Sequence, residues 1–277
     1  MKDYKIAILM ATYNGEKYLS EQIDSIISQT NHEWHLYIHD DGSTDNTVKI
    51  LLSYKEKYSD LISVLNYPPQ GGALPNFMSL LERIDAGYYM FSDQDDIWHS
   101  NKIEYSLKIM TELESQFPPK PMIVHCDARV VDSQLNPIHP SYREYCHIYP
   151  KQITNFKQCV INVTSGCCML FNALAKEASL TRSWSKALMH DAWITICTYA
   201  SEGIVFAISE RLMDYRNHSN NTIGAFDATQ ITIMYRLRHF KLMIRKNIQQ
   251  YRMLRSAGYG SIFTYYYYKF RLHTLPI

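Results

Sequence analysis

Short apolar runs alternate with amphipathic stretches over the first 130 residues of the chain. The apolar runs predict five buried strands, at Ile6–Met10, Trp34–His39, Ile62–Leu65, Tyr88–Phe91 and Met122–Cys126. Apolar residues at helical spacing predict helices between them, near residues 19–27, 43–52, 74–84 and 101–117, with Ser43 as an N-cap. Strands that alternate with helices predict βαβ units, and hence a mainly parallel sheet covered on both faces.

The second half of the chain has a less regular pattern. A proline-rich break at residues 118–121 precedes it, and residues 133–155 resemble a loop rich in Pro, Tyr and His. Ser165–Phe171 predicts a strand, with helices from about Asn172 and Asp191. Apolar residues recur at helical spacing again from Ala228 to Arg255.

Polar loops follow the predicted strands, at the edge where α/β sheets bind ligands. The most informative is Asp93–Asp96, which holds three carboxylates in four residues. Such a cluster is stable where a hard divalent cation lies among the oxygens, and Mg²⁺ leaves coordination positions for substrate phosphates. The cluster therefore predicts a metal-bound diphosphate. The alternative is an acidic turn that caps the helix starting near Ser100.

Two other loops suggest nucleotide binding. Tyr13 can stack on a base, although Asn14 and Gly15 could simply form the turn into the next helix. The carboxylates of Asp40 and Asp41 can accept from the N3–H of uracil or thymine, although a helix cap followed by a turn is a common alternative. No G-x-G-x-x-G motif follows the first strand and no P-loop is present, which argues against a dinucleotide cofactor.

Composition limits the classes of protein further. The 277 residues predict one large domain, or one domain with an appendage. The chain start lacks a signal-peptide pattern, and no apolar run reaches the roughly 18 residues that a membrane span requires. The six cysteines lack CxxC spacing, so we expect reduced thiols.

Charge is distributed unevenly along the chain. Residues 231–277 hold nine Lys or Arg and no acidic residue, so the remainder carries a net charge of −8 against +1 for the whole. Basic, aromatic, amphipathic helices lie in membrane interfaces and are attracted to anionic lipid. Four tyrosines at 265–268 beside Lys269 and Arg271 favour this interpretation. A helical cap on the core, a dimer contact and, least favoured, a nucleic-acid patch are the alternatives.

Three motifs in order resemble the family-two inverting glycosyltransferases of GT-A fold: Ala11–Asn14, Asp40–Asp45 and Ser92–Trp98. The resemblance covers roughly residues 5–225. Later segments are similar to the bacterial rhamnosyltransferase branch, namely Ser165–Cys168, His190–Trp193, Tyr215–Asn221, and Gln70–Gly72 with Asn76–Phe77. Ala192 stands where that branch often has a tryptophan.

The resemblance implies a role for each matching residue. Asp191 would be the catalytic base, and Asp95 would ligate Mg²⁺ or Mn²⁺, with His218 as a further ligand or a diphosphate contact. The nucleotide sugar would contact Ala11, Thr12, Tyr13, Asn14, Glu16, Asp41, Asn76, Asp93 and Arg216, the last through a phosphate. From the residues alone, Asp191 could instead be a helix N-terminal charge and His218 an ordinary polar loop residue.

The resemblance also implies the reaction. A GT-A domain of residues 1–225, with a nucleotide-binding half (1–130) and an acceptor-binding half (131–225), would precede a helical C-terminal region (226–277). It would move L-rhamnose from dTDP-rhamnose, with inversion, to a hydroxyl of a lipid-linked saccharide in bacterial surface polysaccharide synthesis. A UDP-hexose or UDP-N-acetylhexosamine transferase and a non-catalytic glycan-binding protein are the alternatives.

A sugar-phosphate nucleotidyltransferase is disfavoured, because its first loop would be glycine-rich with an arginine and Thr12–Glu16 is neither. If the acceptor is lipid-linked, the basic C-terminal region suits an anionic membrane surface. We therefore expect a cytoplasmic enzyme, peripheral at the inner face of the plasma membrane, with no nucleic-acid partner.

Overall fold

A computed structural model describes residues 5–219, 221, 225 and 240–274. The described strands are β1 (Ile6–Thr12), β2 (Trp34–Asp40), β3 (Ile62–Val64), β4 (Tyr88–Ser92), β5 (Ile97–Trp98), β6 (Met122–Val131), β7 (Pro137–His139), β8 (Met169–Asn172) and β9 (Ile204–Arg216). They form one sheet in the order β3-β2-β1-β4-β8-β6-β9-β5, and β7 pairs with β6.

The first four strands are parallel, as predicted. β1 lies between β2 and β4, and β3 pairs with the far side of β2. The second half makes the sheet mixed, because β8 enters between β4 and β6 in the opposite direction. β6 and β9 are parallel to each other. β5 pairs with β9, and β7 pairs with β6, and both of these pairs are antiparallel. The carboxyl ends of β1, β2 and β4 therefore meet at one edge.

The described helices are α1 (Leu19–Ile27), α2 (Thr47–Lys57), α3 (Ala73–Arg83), α4 (Lys102–Gln116), α5 (Tyr142–Tyr145), α6 (Ala173–Leu180), α7 (His190–Ala200), α8 (Phe240–Ser256) and α9 (Ile262–Thr274). The segment predicted as loop, residues 133–155, contains β7, α5 and a turn of 3₁₀ helix at Pro150–Gln152. The part of the predicted C-terminal helix from Ala228 to residue 239 lies outside the described residues.

The prediction that Ser43 caps α2 is wrong. The helix begins at Thr47, where Asp45 accepts from the Thr47 N–H at 2.9 Å and from its hydroxyl. The Ser43 hydroxyl instead donates to Asp40 at 2.6 Å and accepts from the Asn14 N–H at 2.8 Å. Ser43 therefore joins the loops after β1 and β2.

The sheet buries an apolar layer on each face, because successive side chains of a strand point to opposite sides. Along β1, Ile6, Ile8 and Met10 face the layer beneath α1 and α4, while Ala7 and Leu9 face α3 and α7. Met253 and Leu254 of α8 and Tyr265 of α9 are buried in the second layer. Among the described helices, none is both long enough and apolar enough to cross a bilayer.

Candidate active site

A cleft of about 960 Å³ opens at the carboxyl ends of β1, β2 and β4. Most of the predicted site residues line it, namely Ala11, Thr12, Tyr13, Asp41, Asn76, Asp93, Asp95 and Asp191. The opposite wall comes from the second half of the chain, through residues 142–148 and 161–167. The strand order therefore brings residues from both halves of the chain to one place.

Gln94 links the first loop to the acidic loop. Its side chain accepts from the Tyr13 N–H at 2.9 Å and donates to the Tyr13 carbonyl at 3.0 Å. A Cβ on Gly15 would lie 2.3 Å from the Gln94 amide oxygen, so a larger residue there would displace the Gln94 side chain. The bonds fix the backbone of Tyr13 while its side chain stays 56% exposed at the cleft. Sequence reasoning missed Gln94, although the residue stands inside the acidic motif.

Asn14 and Glu16 do not line the cleft, contrary to the expectation that they contact the nucleotide. The Asn14 amide oxygen accepts from the Thr44 N–H at 2.8 Å. The Glu16 carboxylate accepts from the backbone and side-chain N–H groups of Asn46 at 2.8 and 2.7 Å. Both side chains thus tie the loop after β1 to the segment before α2, and they support the site from behind.

Asp41 and Asn76 line the cleft, but protein groups bind their side chains. The Asp41 carboxylate accepts from the backbone N–H groups of residues 70–72 at 2.5 to 3.0 Å. The Asn76 amide oxygen accepts from His39 Nδ1 at 2.8 Å, and the Asn76 amide nitrogen donates to the His39 carbonyl at 3.2 Å. Asn76 therefore joins the wall of the cleft to the end of β2.

The acidic loop holds three carboxylates, and one of them contacts a histidine from the loop after β9. His218 Nε2 lies 2.8 Å from Asp95 Oδ2, so the two expected metal ligands are in contact. Removal from water and the charges of Asp95 and Asp191 raise the pKa of Asp93 to about 7. Asp96 is buried, accepts from the Arg216 N–H at 3.1 Å, and has no partner for Oδ2 among the described residues.

Arg216 departs from its expected role as a phosphate partner. The side chain is 2% exposed, and its guanidinium lies 4.4 Å from the centre of the Tyr18 ring. It donates to the carbonyl of Asp95 at 2.8 Å, to the carbonyl of Ser133 at 3.1 Å and to Glu21. Because protein acceptors take all three guanidinium nitrogens, Arg216 holds the acidic loop in shape and does not face the cleft.

The chemistry of these side chains fits a hard divalent cation. Carboxylate oxygens suit Mg²⁺ and Mn²⁺, and an imidazole suits a first-row metal such as Mn²⁺. Asp95 Oδ2 and His218 Nε2 are in contact, and the ligand atoms of Asp93, Asp96 and Cys167 lie within 4.8 Å of one another. The Cys167 thiol is a soft ligand, so this second group suits Mg²⁺ poorly. Asp95 with His218 is the better ligand pair.

Asp191 occupies the first turn of α7, across the cleft from the acidic loop. It is 7% exposed, and removal from water raises its pKa to about 6. One oxygen accepts from the Ala192 N–H at 2.6 Å, and the other lies 3.4 Å from the Asn162 amide nitrogen. Two bonds to Thr164, at 2.9 and 3.1 Å, orient Asn162. Asn162 was missed because nothing in its local sequence indicates that orientation.

His190, the residue before Asp191, is packed between aromatic rings. Its ring centroid lies 4.1 Å from Phe77 and 4.6 Å from Phe91, and burial lowers its pKa to about 3. A Cβ on Gly166 would be 2.5 Å from His190 Nε2. Gly166 is therefore required for the ring to lie where it does, and the ring in turn supports the first turn of α7.

The fold and this cleft define a glycosyltransferase of GT-A fold. The chain belongs to glycosyl transferase family 2, whose family model matches residues 7–177. It is 29% identical over 230 residues to the dTDP-rhamnosyl transferase RfbG of Shigella flexneri, covering 78% of this chain and 74% of that relative. The chain spans 65% of the length of two matched Rickettsia glycosyltransferases.

Solved structures show the same fold at low sequence identity. Staphylococcus aureus TarS in complex with UDP-GlcNAc superposes with a TM-score of 0.56 at 17% identity, covering 90% of this chain and 70% of TarS 1-349. The mannosyltransferase PcManGT from Pyrobaculum calidifontis, in complex with GDP-Man and Mn²⁺, gives 0.58 at 14% identity, covering 97% and 79%. These likenesses confirm the predicted GT-A fold.

Proposed function

We propose that this protein transfers L-rhamnose from dTDP-β-L-rhamnose, with inversion and with a bound divalent metal, to a hydroxyl of a lipid-linked saccharide. The product would enter a bacterial surface polysaccharide. The observation that carries the proposal is the placement of Asp191 and the acidic loop in one cleft, close enough for the charge of Asp191 to raise the pKa of Asp93. Inverting transfer needs both parts in one cleft, because the acidic loop would hold the metal-bound diphosphate leaving group and Asp191 would act as the general base.

Inverting transfer is a single displacement at the anomeric carbon. The acceptor oxygen forms the new bond while the bond to the diphosphate oxygen breaks, so a base must take the proton of the acceptor hydroxyl. Asp191, with a pKa of about 6, is ionised at neutral pH and more basic than an ordinary aspartate. The reaction forms no covalent enzyme intermediate, so no nucleophilic side chain is needed.

Asp95 and His218 would hold the metal. When bound, Mg²⁺ or Mn²⁺ would act as a Lewis acid that stabilises the negative charge of the departing diphosphate. Arg216 fixes the backbone of Asp95 through its carbonyl, and therefore orients one of the two ligands. The Mn²⁺ present with PcManGT supports a divalent metal in this fold.

Two observations support rhamnose as the sugar. The relative RfbG is a dTDP-rhamnosyl transferase. The apolar side chains of Phe77, Ile161 and Met189 also line the cleft, and they suit the methyl group of a 6-deoxy sugar. A UDP-hexose or UDP-N-acetylhexosamine transferase is the alternative within the class, and the TarS complex with UDP-GlcNAc favours keeping it in the test.

The test is a transfer assay with a synthetic lipid-diphosphate saccharide as acceptor. Incubation with dTDP-β-L-rhamnose and Mn²⁺ should give an α-linked rhamnoside, identified by NMR of the isolated product. A β-linked product would contradict inversion. Transfer from a UDP sugar only would replace the donor, and no reaction with any donor would favour a non-catalytic glycan-binding protein.

Residues 1–225 are proposed as the catalytic domain and residues 226–277 as a region that docks on an anionic membrane. Phe263, Tyr267 and Phe270 of α9 follow one another at spacings of four and three, and are 83%, 58% and 73% exposed. The exposed part of α8 adds Lys241, Arg245 and Lys246. Aromatic rings beside cations match the chemistry of an anionic lipid surface. The enzyme would then lie at the cytoplasmic face of the plasma membrane.

Vesicle sedimentation tests this docking. Replacing Phe263 and Phe270 by Ser should reduce binding to phosphatidylglycerol vesicles, and raised salt should weaken the binding of the unaltered protein. Phe117→Ser is the matched control, because Phe117 is 42% exposed and lies at the end of α4. Equal sedimentation of the double variant and the control would contradict the proposal.

A further inference from the structure

Asp41 is held by a loop of consecutive backbone N–H groups between β3 and α3. Oδ1 accepts from Gln70 at 2.5 Å and from Gly71 at 3.0 Å, and Oδ2 accepts from Gly72 at 2.6 Å. Successive backbone N–H groups in such a concave arrangement form a nest that binds anions. An ionised carboxylate has about four acceptor positions, so about one remains, and it is on Oδ2.

The two glycines of this nest are required by the backbone. Gly71 has φ of +83°, and Gly72 has φ of +135° with ψ of 169°, a region that is essentially limited to glycine. A Cβ at either position would meet nothing within 4 Å. Space is therefore available at both positions, and it is the dihedral angles that exclude other residues.

The nest is also anchored to the sheet at both ends. The Gly72 carbonyl accepts from the Asn76 N–H at 3.1 Å, and the Asn76 side chain binds His39 at the end of β2. At the other end, His39 Nε2 lies 2.9 Å from the Tyr67 carbonyl, and the two rings stack with centroids 3.6 Å apart. His39 thus fixes the loop relative to Asp41, two residues further along the chain.

We propose that the Gln70–Gly72 nest sets the nucleobase specificity of the donor site by fixing the one remaining acceptor position of Asp41. Asp41, Gly71 and Gly72 all line the cleft. Uracil and thymine present an N3–H donor that this acceptor matches, whereas cytosine presents a lone pair at N3 that opposes it. Gly71 and Gly72 are positioning residues here, and Asp41 makes the contact. The inference rests on the proposed function, because it assumes a nucleotide in this cleft.

Nucleotide affinities of glycine variants test the nest. We expect the unaltered protein with Mg²⁺ to prefer dTDP and UDP over CDP by about tenfold or more, the effect of one mispaired buried hydrogen bond. Gly72→Ala and Gly71→Ala should each lower that preference by about tenfold. Gly258→Ala is the matched control, because Gly258 has φ of +96°, has open space around it and lies between α8 and α9. It should keep the full preference.

The possible results distinguish a failure of the nest from a failure of the proposed function. Glycine variants that melt cooperatively and keep the dTDP-to-CDP ratio within about twofold of the unaltered protein would overturn the inference while leaving the glycosyltransferase intact. An unaltered protein that binds no nucleotide would end the proposed function and the inference together. Should Gly72→Ala not fold, Gly71→Ala carries the test. Its preference should fall by about tenfold, and retention of the preference in a Gly71→Ala protein that melts cooperatively would overturn the nest.

Discussion

Asp95 and His218 are 123 residues apart in the chain, yet Asp95 Oδ2 and His218 Nε2 lie 2.8 Å apart. The contact joins the loop after β4 to the loop after β9. The proposed metal site therefore takes one residue from the first half of the chain and one from the second half.

Removing the Asp95 carboxylate should abolish metal-dependent donor binding. In Asp95→Ala, His218 keeps its imidazole but the principal oxygen ligand is gone, so donor affinity should match that of the unaltered protein in EDTA. Isothermal titration with dTDP-rhamnose, with and without Mn²⁺, measures this. Asp85→Ala is the control, because that carboxylate is fully exposed at the opposite end of the sheet. A donor affinity that changes neither with the mutation nor with EDTA would contradict the metal role.

Removing the Asp191 carboxylate should stop transfer and spare donor binding. Asp191→Asn keeps the size of the side chain and the acceptor for the Ala192 N–H, but it cannot take a proton. Loss of a general base typically costs about 10²–10⁴-fold in rate. Single-turnover transfer measures the rate, and titration with dTDP-rhamnose measures binding. Near-normal transfer by Asp191→Asn would remove this residue as the base.

Transfer should depend on pH with a rise through about pH 6, since burial raises the Asp191 pKa to about 6. Protonated Asp191 cannot accept the hydroxyl proton, so the rate should be low below that value and level off above it. The pH profile of kcat/KM at saturating metal measures the titration in the free enzyme. A rate that is constant from about pH 5 to pH 8 would conflict with this assignment.

Arg216 should contribute to folding rather than to phosphate binding. Arg216→Met leaves the carbonyls of Asp95 and Ser133 without their donor, and a buried acceptor left unpaired costs about 1–3 kcal/mol. Urea unfolding measures the change. Arg211→Met is the control, since the Arg211 side chain is 47% exposed and lies 3.9 Å from Asp127, a pair that should be worth about 1 kcal/mol or less. Equal stability of the two variants, with donor affinity lost only in Arg216→Met, would restore the phosphate role.

Gly166→Ala should disturb the base through His190. The added methyl group would lie 2.5 Å from a ring that Phe77 and Phe91 hold in place, so a destabilisation of about 1–3 kcal/mol is expected. Transfer should slow while nucleotide affinity stays close to normal, because Asp191 follows His190 directly. Gly260→Ala, whose Cβ would meet Thr264 at 3.9 Å, is the control. Unchanged stability in Gly166→Ala would show that the ring moves aside easily.

The regular part of the fold was predictable because its strands are buried on both faces. Runs such as Ile6–Met10 and Tyr88–Phe91 carry that signal, and each is followed by a polar loop at the ligand-binding edge. β9 was not predicted, because Ser209, Glu210 and Arg211 interrupt its apolar pattern where its pairing with β6 shifts register. Tertiary pairing with β6, rather than local pattern, makes this segment a strand.

The site was predictable where a residue type carries the chemistry, and less so where a distant partner decides its orientation. Asp95, Asp93 and Asp191 reach the cleft because the ends of β4 and α7 place them there. Arg216 does not reach the cleft, because its guanidinium donates to Glu21, Asp95 and Ser133. These partners are 83 to 195 residues away, and no local pattern in the sequence reveals them. Glu16 likewise binds Asn46 and does not line the cleft.

A thermal-shift panel of nucleotides and nucleotide sugars, each with and without Mn²⁺, tests the central claim most directly. Binding to the folded state raises the melting temperature by mass action. The account predicts a metal-dependent rise that is largest with dTDP and dTDP-rhamnose. A rise led by UDP compounds would replace the donor. No rise with any of them, in a sample that melts cooperatively, would contradict a nucleotide-sugar transferase.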